Sequence, residues 1–179
     1  KFMRKIIVTH AGTSGTLNFA IGVTTKTVTV IVKGDTAVEP DEKFKLNLSN
    51  CVGCTTIANQ GFGTIINDDS GVSINDVSLK EGNSGTKNFI FTVTRSGDTS
   101  GTSSVNFATT DGTATVPSDY TSNSGTVSFA IGETTKTVTV IVKGDTSKEK
   151  TETFNVNLSI PIGCTITDNL GIGTIQNDD

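Results

Sequence analysis

Acidic side chains recur in this 179-residue chain at a few fixed places, between apolar runs with strand-like alternation. From residue 70 onward, Glu81 follows the first such run and Asp119 lies in a long polar stretch, residues 111–120. Asp145, Glu149 and Glu152 fill the gap between two alternating runs, and Asn177, Asp178 and Asp179 follow the last. Carboxylates gathered in one place repel one another unless a cation neutralises them, so the chemistry open to such a set is cation binding. Calcium suits it as a hard ion that takes about six to eight oxygen ligands in flexible geometry. Magnesium demands a stricter octahedron, and zinc prefers His or Cys. The sole histidine, His10, stands outside the constellation. The plainer reading is that these are solvated turns. Lys148 and Lys150 inside the key loop and the neutral Asn177 weaken the negative field and favour that reading.

The elements that must position these acids are strands. Residues 136–142 alternate threonine with valine or isoleucine, the period-two pattern of a half-buried strand. After the acidic loop, Phe154, Val156 and Leu158 alternate with Asn155, Asn157 and Ser159. Seven strands are expected over 72–79, 87–95, 103–109, 125–131, 136–142, 152–159 and 171–177, separated by Gly-, Asn- and Asp-rich turns. Strands at this spacing point to an antiparallel β-sandwich. The expected core is Phe89, Phe91, Val93, Val105, Phe107, Val127, Phe129, Val138, Val140, Val142, Phe154, Val156, Leu158, Ile172 and Ile175. In a sandwich the loops between alternate strands collect at one end, so all four acidic groups are expected at one pole.

Composition agrees. Thr, Val, Ser and Gly dominate, with no tryptophan, one tyrosine and nine phenylalanines, which favours an all-β protein. The formal charge of −4 and the lack of a basic stripe with interleaved aromatics argue against nucleic-acid binding. No apolar run is long enough for membrane insertion and none reads as a signal peptide, which says little about compartment because the chain has the look of a segment of something longer. Cys51 and Cys54 form a C-x-x-C after a strand rather than at the head of a helix, so a local disulfide or two free thiols is expected rather than a redox motif. Cys164 matches Cys54, while Pro161 stands where Cys51 would be.

A shift of 110 residues lays 14–69 on 124–179 without a gap, with 37 of the 56 pairs identical. A period of this size fits one sandwich domain rather than a solenoid unit. Residues 70–179 are therefore expected to form one complete repeat, and residues 1–69 the C-terminal part of another, with strands over 15–21, 26–32, 42–49 and 61–67. Residues 2–10 do not resemble their counterparts 112–120 and are read as an extra strand or an appended sequence. A partial sandwich leaves sheet edges open, so pairing with another copy of the chain, a homo-oligomer, is expected.

The series Asp111-Gly112-Thr113-Ala114, Ser118-Asp119-Tyr120, the run 124–129 (SGTVSF), Gly132-Glu133-Thr134-Thr135-Lys136, Glu149 with Glu152-Thr153-Phe154, and Gly173-Thr174-Ile175 with Asn177-Asp178-Asp179 resembles the Calx-beta domain family. The resemblance covers 14–69 and 70–179. It implies an immunoglobulin-like seven-stranded sandwich and, in calcium-binding members, Ca2+ ions at one pole. The matching residues are Glu81, Asp119, Asp145, Glu149, Glu152, Asn177, Asp178 and Asp179. In the first repeat they are Asp35, Glu39, Glu42, Asn67, Asp68 and Asp69, with Asp41 as an extra acid and Thr9 where an Asp119 counterpart would stand. The sequence departs from the exchanger pattern at Gly144-Asp145-Thr146, where that pattern has a run of acids, and at Asn177, where it has a third aspartate. One or two ions are expected.

Catalysis is not expected. No base sits beside a nucleophile, and Glu149 with Glu152 lacks a cleft or an aromatic sugar platform. The expectation is a calcium-binding structural or adhesive repeat of a secreted or cell-surface protein, stiffened where Asp68 and Asp69 lead into Ser70 and flanked by neighbouring Calx-beta repeats. The alternatives are a passive spacer and a protein- or carbohydrate-interaction module. Threonine rows such as Thr135, Thr137 and Thr139 are read as the wet face of a strand rather than as an ice-binding face.

Overall fold

The computed structural model describes residues 4–10, 13–55 and 57–179, with side chains from Ser14 onward. Phe2 and Met3 of the divergent N-terminal stretch lie outside the described residues. All regular structure among the described residues is β-strand, as the Thr- and Val-rich composition requires. The chain divides into two compact units, Lys1–Asp35 with Pro40–Asn67 and Thr36–Glu39 with Asp68–Asp179.

The second unit is the sandwich. Its strands, numbered along the whole chain, are β5 (Ser70–Ile74), β6 (Val77–Lys80), β7 (Thr86–Gly97), β8 (Ser103–Asp111), β9 (Ser124–Phe129), β10 (Thr135–Lys143), β11 (Glu152–Ile162), β12 (Thr165–Ile166) and β13 (Leu170–Gln176). One sheet runs β10-β7-β5-β12 and the other β6-β13-β11-β8-β9. The first expected strand, 72–79, is two strands in two sheets. Asn75 and Asp76 make the crossing. Asn75 Oδ1 accepts the Thr92 N–H on β7, and Asp76 Oδ1 accepts the Ile172 N–H on β13 at 2.8 Å. Each carboxamide or carboxylate thus replaces a ladder bond lost at the break. Beyond it β6 pairs in parallel with β13, an arrangement alternation alone does not reveal.

The core lies between the sheets. Phe89, Phe91, Val93, Val105, Val140, Val142, Phe154 and Val156 are fully buried, joined by Val72, Ala114 and Tyr120. Phe154 is its centre. Its ring stacks on Tyr120 at 4.6 Å and meets Phe89 and Phe91 at 5.9 and 6.0 Å. Two expected core residues differ. Ile172 is only partly buried, because Gly171, Gly173 and Ile175 take the inward positions of β13. Gly173 is inward because the Phe154 ring covers it: a Cβ there would stand 2.2 Å from Phe154 Cζ. Phe107 is half-buried and lies over Gly125 on the neighbouring strand.

The first unit is a single sheet, β2-β1-β3-β4, formed by β1 (Arg4–His10), β2 (Thr13–Phe19), β3 (Glu42–Val52) and β4 (Gln60–Ile65). Residues 4–10 are thus a strand, and their place corrects the expected alignment. Val8 pairs with both Gly15 and Leu48, just as Phe107 pairs with Gly125 and Leu158. The segment β1 therefore takes the position of β8, and Thr9 is a strand residue paired to Asn47, not the counterpart of Asp119. Only residues 11–12 separate β1 from β2, whereas residues 112–123 separate β8 from β9. The loop that carries Asp119 has no equivalent among the described residues of the first unit.

The strand expected over 26–32 does not form. Residues 24–36 are identical to residues 134–146, which contain β10. Strand β10 is an edge strand paired to β7 in a nine-residue register from Thr135↔Thr94 to Lys143↔Thr86, with Tyr120 bridging Val142 on its other side. The first unit holds no counterpart of β7 among its described residues, so the same sequence has no ladder to join. Among the described residues no side chain of the first unit is fully buried, and Ile31 is 87% exposed. Cys51 and Cys54 form a disulfide at the end of β3, and Cys164 is a free, half-buried thiol.

Candidate metal centre

The acidic pole of the second unit is assembled from strand ends. Gln176 O accepts the Glu81 N–H at 3.3 Å where β6 leaves β13, which sets Glu81 beside the segment 177–179. The turn after Glu81 then binds that segment: Gly82 N–H donates to Asp178 Oδ1 at 2.9 Å, and the Asn83 amide donates to Asp179 Oδ1. From the other sheet, the end of β10 packs on the same turn. Gly144 N–H donates to Gly85 O at 3.1 Å, and a Cβ on Gly144 would stand 2.0 Å from Gly82 O. Only glycine allows that approach, and it places Asp145 next to Glu81. Gly144→Ala is therefore expected to destabilise the second unit by about 1–3 kcal/mol through overpacking. It should also weaken cation binding at this pole, which a denaturant series and a calcium titration of the variant check.

The loop before β9 delivers Asp119. Lys143 N–H donates to Asp119 O at 2.8 Å, and Thr115 N–H donates to Asp119 Oδ2 at 2.6 Å. Behind it, the Tyr120 hydroxyl donates to Asp111 Oδ1 at 2.7 Å while its ring is locked on Phe154. Thr113 Oγ1 accepts the Thr153 N–H at 2.8 Å, which ties the loop to the start of β11 and Glu152. Asp119, Glu149 and Glu152 consequently each place a carboxylate oxygen within 4.8 Å of the other two.

The electrostatics are those of crowded anions. Glu81 is 5% exposed. Burial, and then Glu149, Asp145, Asp178 and Asp179 in turn, push its carboxyl up to about 7. The Glu149 carboxyl is raised by burial and by Asp145 and Asp119. That of Glu152 is raised by burial and by Asp119 and Glu149. The nearest ammonium on β10, that of Lys143, donates to Pro117 O. Two buried side-chain oxygens, Asn177 Oδ1 and Asp179 Oδ2, have no hydrogen-bond partner. Orphaned acceptors beside raised carboxyls are what a cation site looks like to its protein ligands. An all-oxygen donor set of this kind fits calcium.

All eight residues expected in the complete repeat come to this pole: Glu81, Asp119, Asp145, Glu149, Glu152, Asn177, Asp178 and Asp179. Those expected in the partial repeat are divided, with Asp35, Glu42 and Asn67 in the first unit and Glu39, Asp68 and Asp69 in the second. The extra acid, Asp41, accepts the Asn67 N–H at 3.0 Å. Sequence reasoning missed the supporting residues Asn83, Gly144 and Asp111. Asn83 and Gly144 lie in recognisable turns, but their task depends on strands distant in the chain.

The Calx-beta domain family matches residues 9–78 and again 67–169. The chain belongs to that family. Sodium/calcium exchanger 1 of Mus musculus is 48% identical over 65 residues, and that of Canis lupus familiaris 45% over 67. Those matches cover 36% and 37% of this chain and 7% of each exchanger, so the Calx-beta chain spans a small part of these relatives. The solved apo-form Calx CBD1 domain is 26% identical with a TM-score of 0.57, over 62% of this chain and 99% of that one. A solved structure described as the calcium binding domain CBD12 of CALX1.1 gives 0.54 at 26% identity, over 60% and 46%. The Calx-beta fold of the second unit is thus an all-β, immunoglobulin-like sandwich. No helix among the described residues is long and apolar enough to cross a membrane.

Proposed function

We propose that residues 70–179 are a complete, non-catalytic Calx-beta repeat that binds calcium at this pole, and that residues 1–69 are a partial one. The observation that carries the proposal is the convergence of Asp119, Glu149 and Glu152 within 4.8 Å, beside the unpartnered oxygens of Asn177 and Asp179. Glu81, Asp145 and Asp178 complete the ligand set. Calcium supplies charge neutralisation there. The protein holds the strand ends so that their carboxylates need little movement to reach one ion. The acids Asp35, Glu39, Glu42, Asp68 and Asp69, with the amide of Asn67, are the positions of the partial repeat that match this ligand set. An ion on them would stiffen the chain where Asp69 leads into Ser70. In this reading the chain is a structural or adhesive repeat of a larger secreted or surface protein, with neighbouring Calx-beta repeats as partners. Its identity to the exchangers favours a second reading, a calcium-sensing regulatory element of a larger protein.

Calorimetric titration of the whole chain with calcium tests the binding step common to both. The unmodified chain is expected to bind. Asp119→Asn with Glu149→Gln is expected to lose at least about tenfold in affinity, equivalent to about 1.4 kcal/mol. Binding that survives this double substitution unchanged would place the ion elsewhere. No binding at all by the unmodified chain would leave a passive spacer or interaction module.

A further inference from the structure

The segment after β13 turns its acids toward Glu81, and the structure shows what holds it there. Strand β13 stays on the parallel ladder with β6 as far as Gln176↔Lys80. Past that pair, side chains take over. Gly82 N–H donates to Asp178 Oδ1 at 2.9 Å, the Asn83 amide donates to Asp179 Oδ1, and the Asn177 amide donates to the main-chain oxygen of Asp179 at 3.4 Å. These bonds act against charge repulsion. Glu81 is buried, its carboxyl is raised by that burial, and Asp178 and Asp179 are among the anions that raise it further. The turn that bears Asn83 is itself anchored to both sheets, through Glu81 N–H on Gln176 O and through Gly85 O, which accepts the Gly144 N–H. Asn83 therefore stands on a fixed platform. It also tells the two oxygens of Asp179 apart: Oδ1 is bound to the Asn83 amide, while Oδ2 is buried without a hydrogen-bond partner. A carboxylate tied by one oxygen and bare at the other is aimed to give an ion a single bond.

Resting on the calcium reading of this pole, we propose that Asn83 is a positioning residue of the cation site, whose carboxamide holds Asp179 by Oδ1 so that Oδ2 enters the site as a pre-aimed ligand. Asn83 acts through Asp179 and is not itself a ligand. Its chemistry suits the task. An amide donates a hydrogen bond without bringing charge. A lysine in its place would hold Asp179 too, but would cancel part of the field that draws the cation. An aspartate could not donate at all. Because the bond forms on folding, the approach of Asp179 to Glu81 is met when the chain folds and not when the ion arrives, which is how preorganisation raises affinity. The plainer role, a brace that merely stabilises the turn, leads to a different experimental result.

The test is a calorimetric titration with calcium of the whole chain, unmodified and as Asn83→Leu and Asn83→Gln. Leucine keeps the volume and loses the donor, whereas glutamine keeps the donor. Asn83→Leu is expected to bind calcium about 10- to 100-fold more weakly, the usual cost of removing the partner of a metal ligand. Asn83→Gln is expected to bind within the same order of magnitude as the unmodified chain. A second readout needs no ion. In chelator, the Gly82 amide, which is bonded to the same segment, is expected to lose exchange protection in Asn83→Leu but not in Asn83→Gln. The melting temperature in chelator is expected to move by no more than about 3 °C, since a single exposed hydrogen bond is lost. If Asn83→Leu binds as tightly as the unmodified chain, whatever its melting temperature, the bond is a brace and the proposal is overturned. Equal weakening by leucine and glutamine overturns it as well, because the donor is then not what matters. If the unmodified chain binds no calcium, the function proposed for this pole fails and the role of Asn83 fails with it. The first two results cannot be confused with that one, since both require binding by the unmodified chain.

Discussion

Phe154→Ala is expected to cost the second repeat about 3–5 kcal/mol, while the same change at its counterpart, Phe44→Ala, costs about 1 kcal/mol or less. The two residues occupy the same place in the 110-residue repeat, and each covers a cross-strand glycine: a Cβ on Gly63 or Gly173 would stand 2.2 Å from its ring. The difference lies above that pair. Phe154 is fully buried beneath Phe89, Phe91 and Tyr120, so truncation leaves a cavity walled by three rings. Phe44 is only half-buried, and truncation removes less apolar area and opens no enclosed void. Phe154→Ala also removes the surface against which Tyr120 is stacked, next to Asp119, so cation binding should weaken with stability. Urea unfolding read by amide exchange in each repeat separates the two effects. Equal losses at the two positions would mean that the first unit is covered as fully as the second.

The second large effect is a linkage between pH and calcium. In the folded second repeat the Glu81 carboxyl titrates at about 7, against 4.5 for the free side chain. Between those values the folded state holds a proton that the unfolded chain has already released. Stability in chelator therefore falls as pH rises through this window, by about 3 kcal/mol when the whole shift is expressed. Glu149 and Glu152 are raised as well and act in the same sense. Calcium should reverse the trend, because the ion satisfies the charge that the proton otherwise removes. At a thousandfold excess over the dissociation constant it adds about 4 kcal/mol, and most strongly at high pH, where no proton competes. Thermal unfolding between pH 5 and 8, in chelator and in calcium, measures both slopes. Glu81→Gln should flatten the chelator curve. A chelator curve that climbs with pH in the unmodified chain would show that these carboxylates are already paired.

Much of the candidate site was legible because it follows from order along the chain. Acids in the gaps after alternate strands of a sandwich must gather at one end, and Glu81, Asp119, Glu152 and Asp178 do so. The residues that hold them there were not legible. Asn83 binds Asp179 across 96 residues, and Gly144 is needed only because β10 happens to end against the turn after Glu81. The break at Asn75 and Asp76 was hidden for the same reason, since both bond to strands that alternation cannot locate.

The duplicated stretch draws the boundary most directly. The sequence alone determined the turn that opens it. Gly22 and Gly132 both take positive φ, at 82° and 78°, and Val23 and Glu133 both donate back to the alanine three residues earlier, at 3.1 Å. These are local interactions, complete within four residues, so identical turn chemistry produces identical structure. The following residues, 26–32 and 136–142, are also identical, yet one copy is a buried strand and the other is none. A strand is not a local object: its N–H and C=O groups are satisfied only by a neighbour, and its apolar face only by an opposing sheet. Strand β7 supplies the neighbour in one repeat and has no counterpart among the described residues of the other, so tertiary structure alone decided that difference.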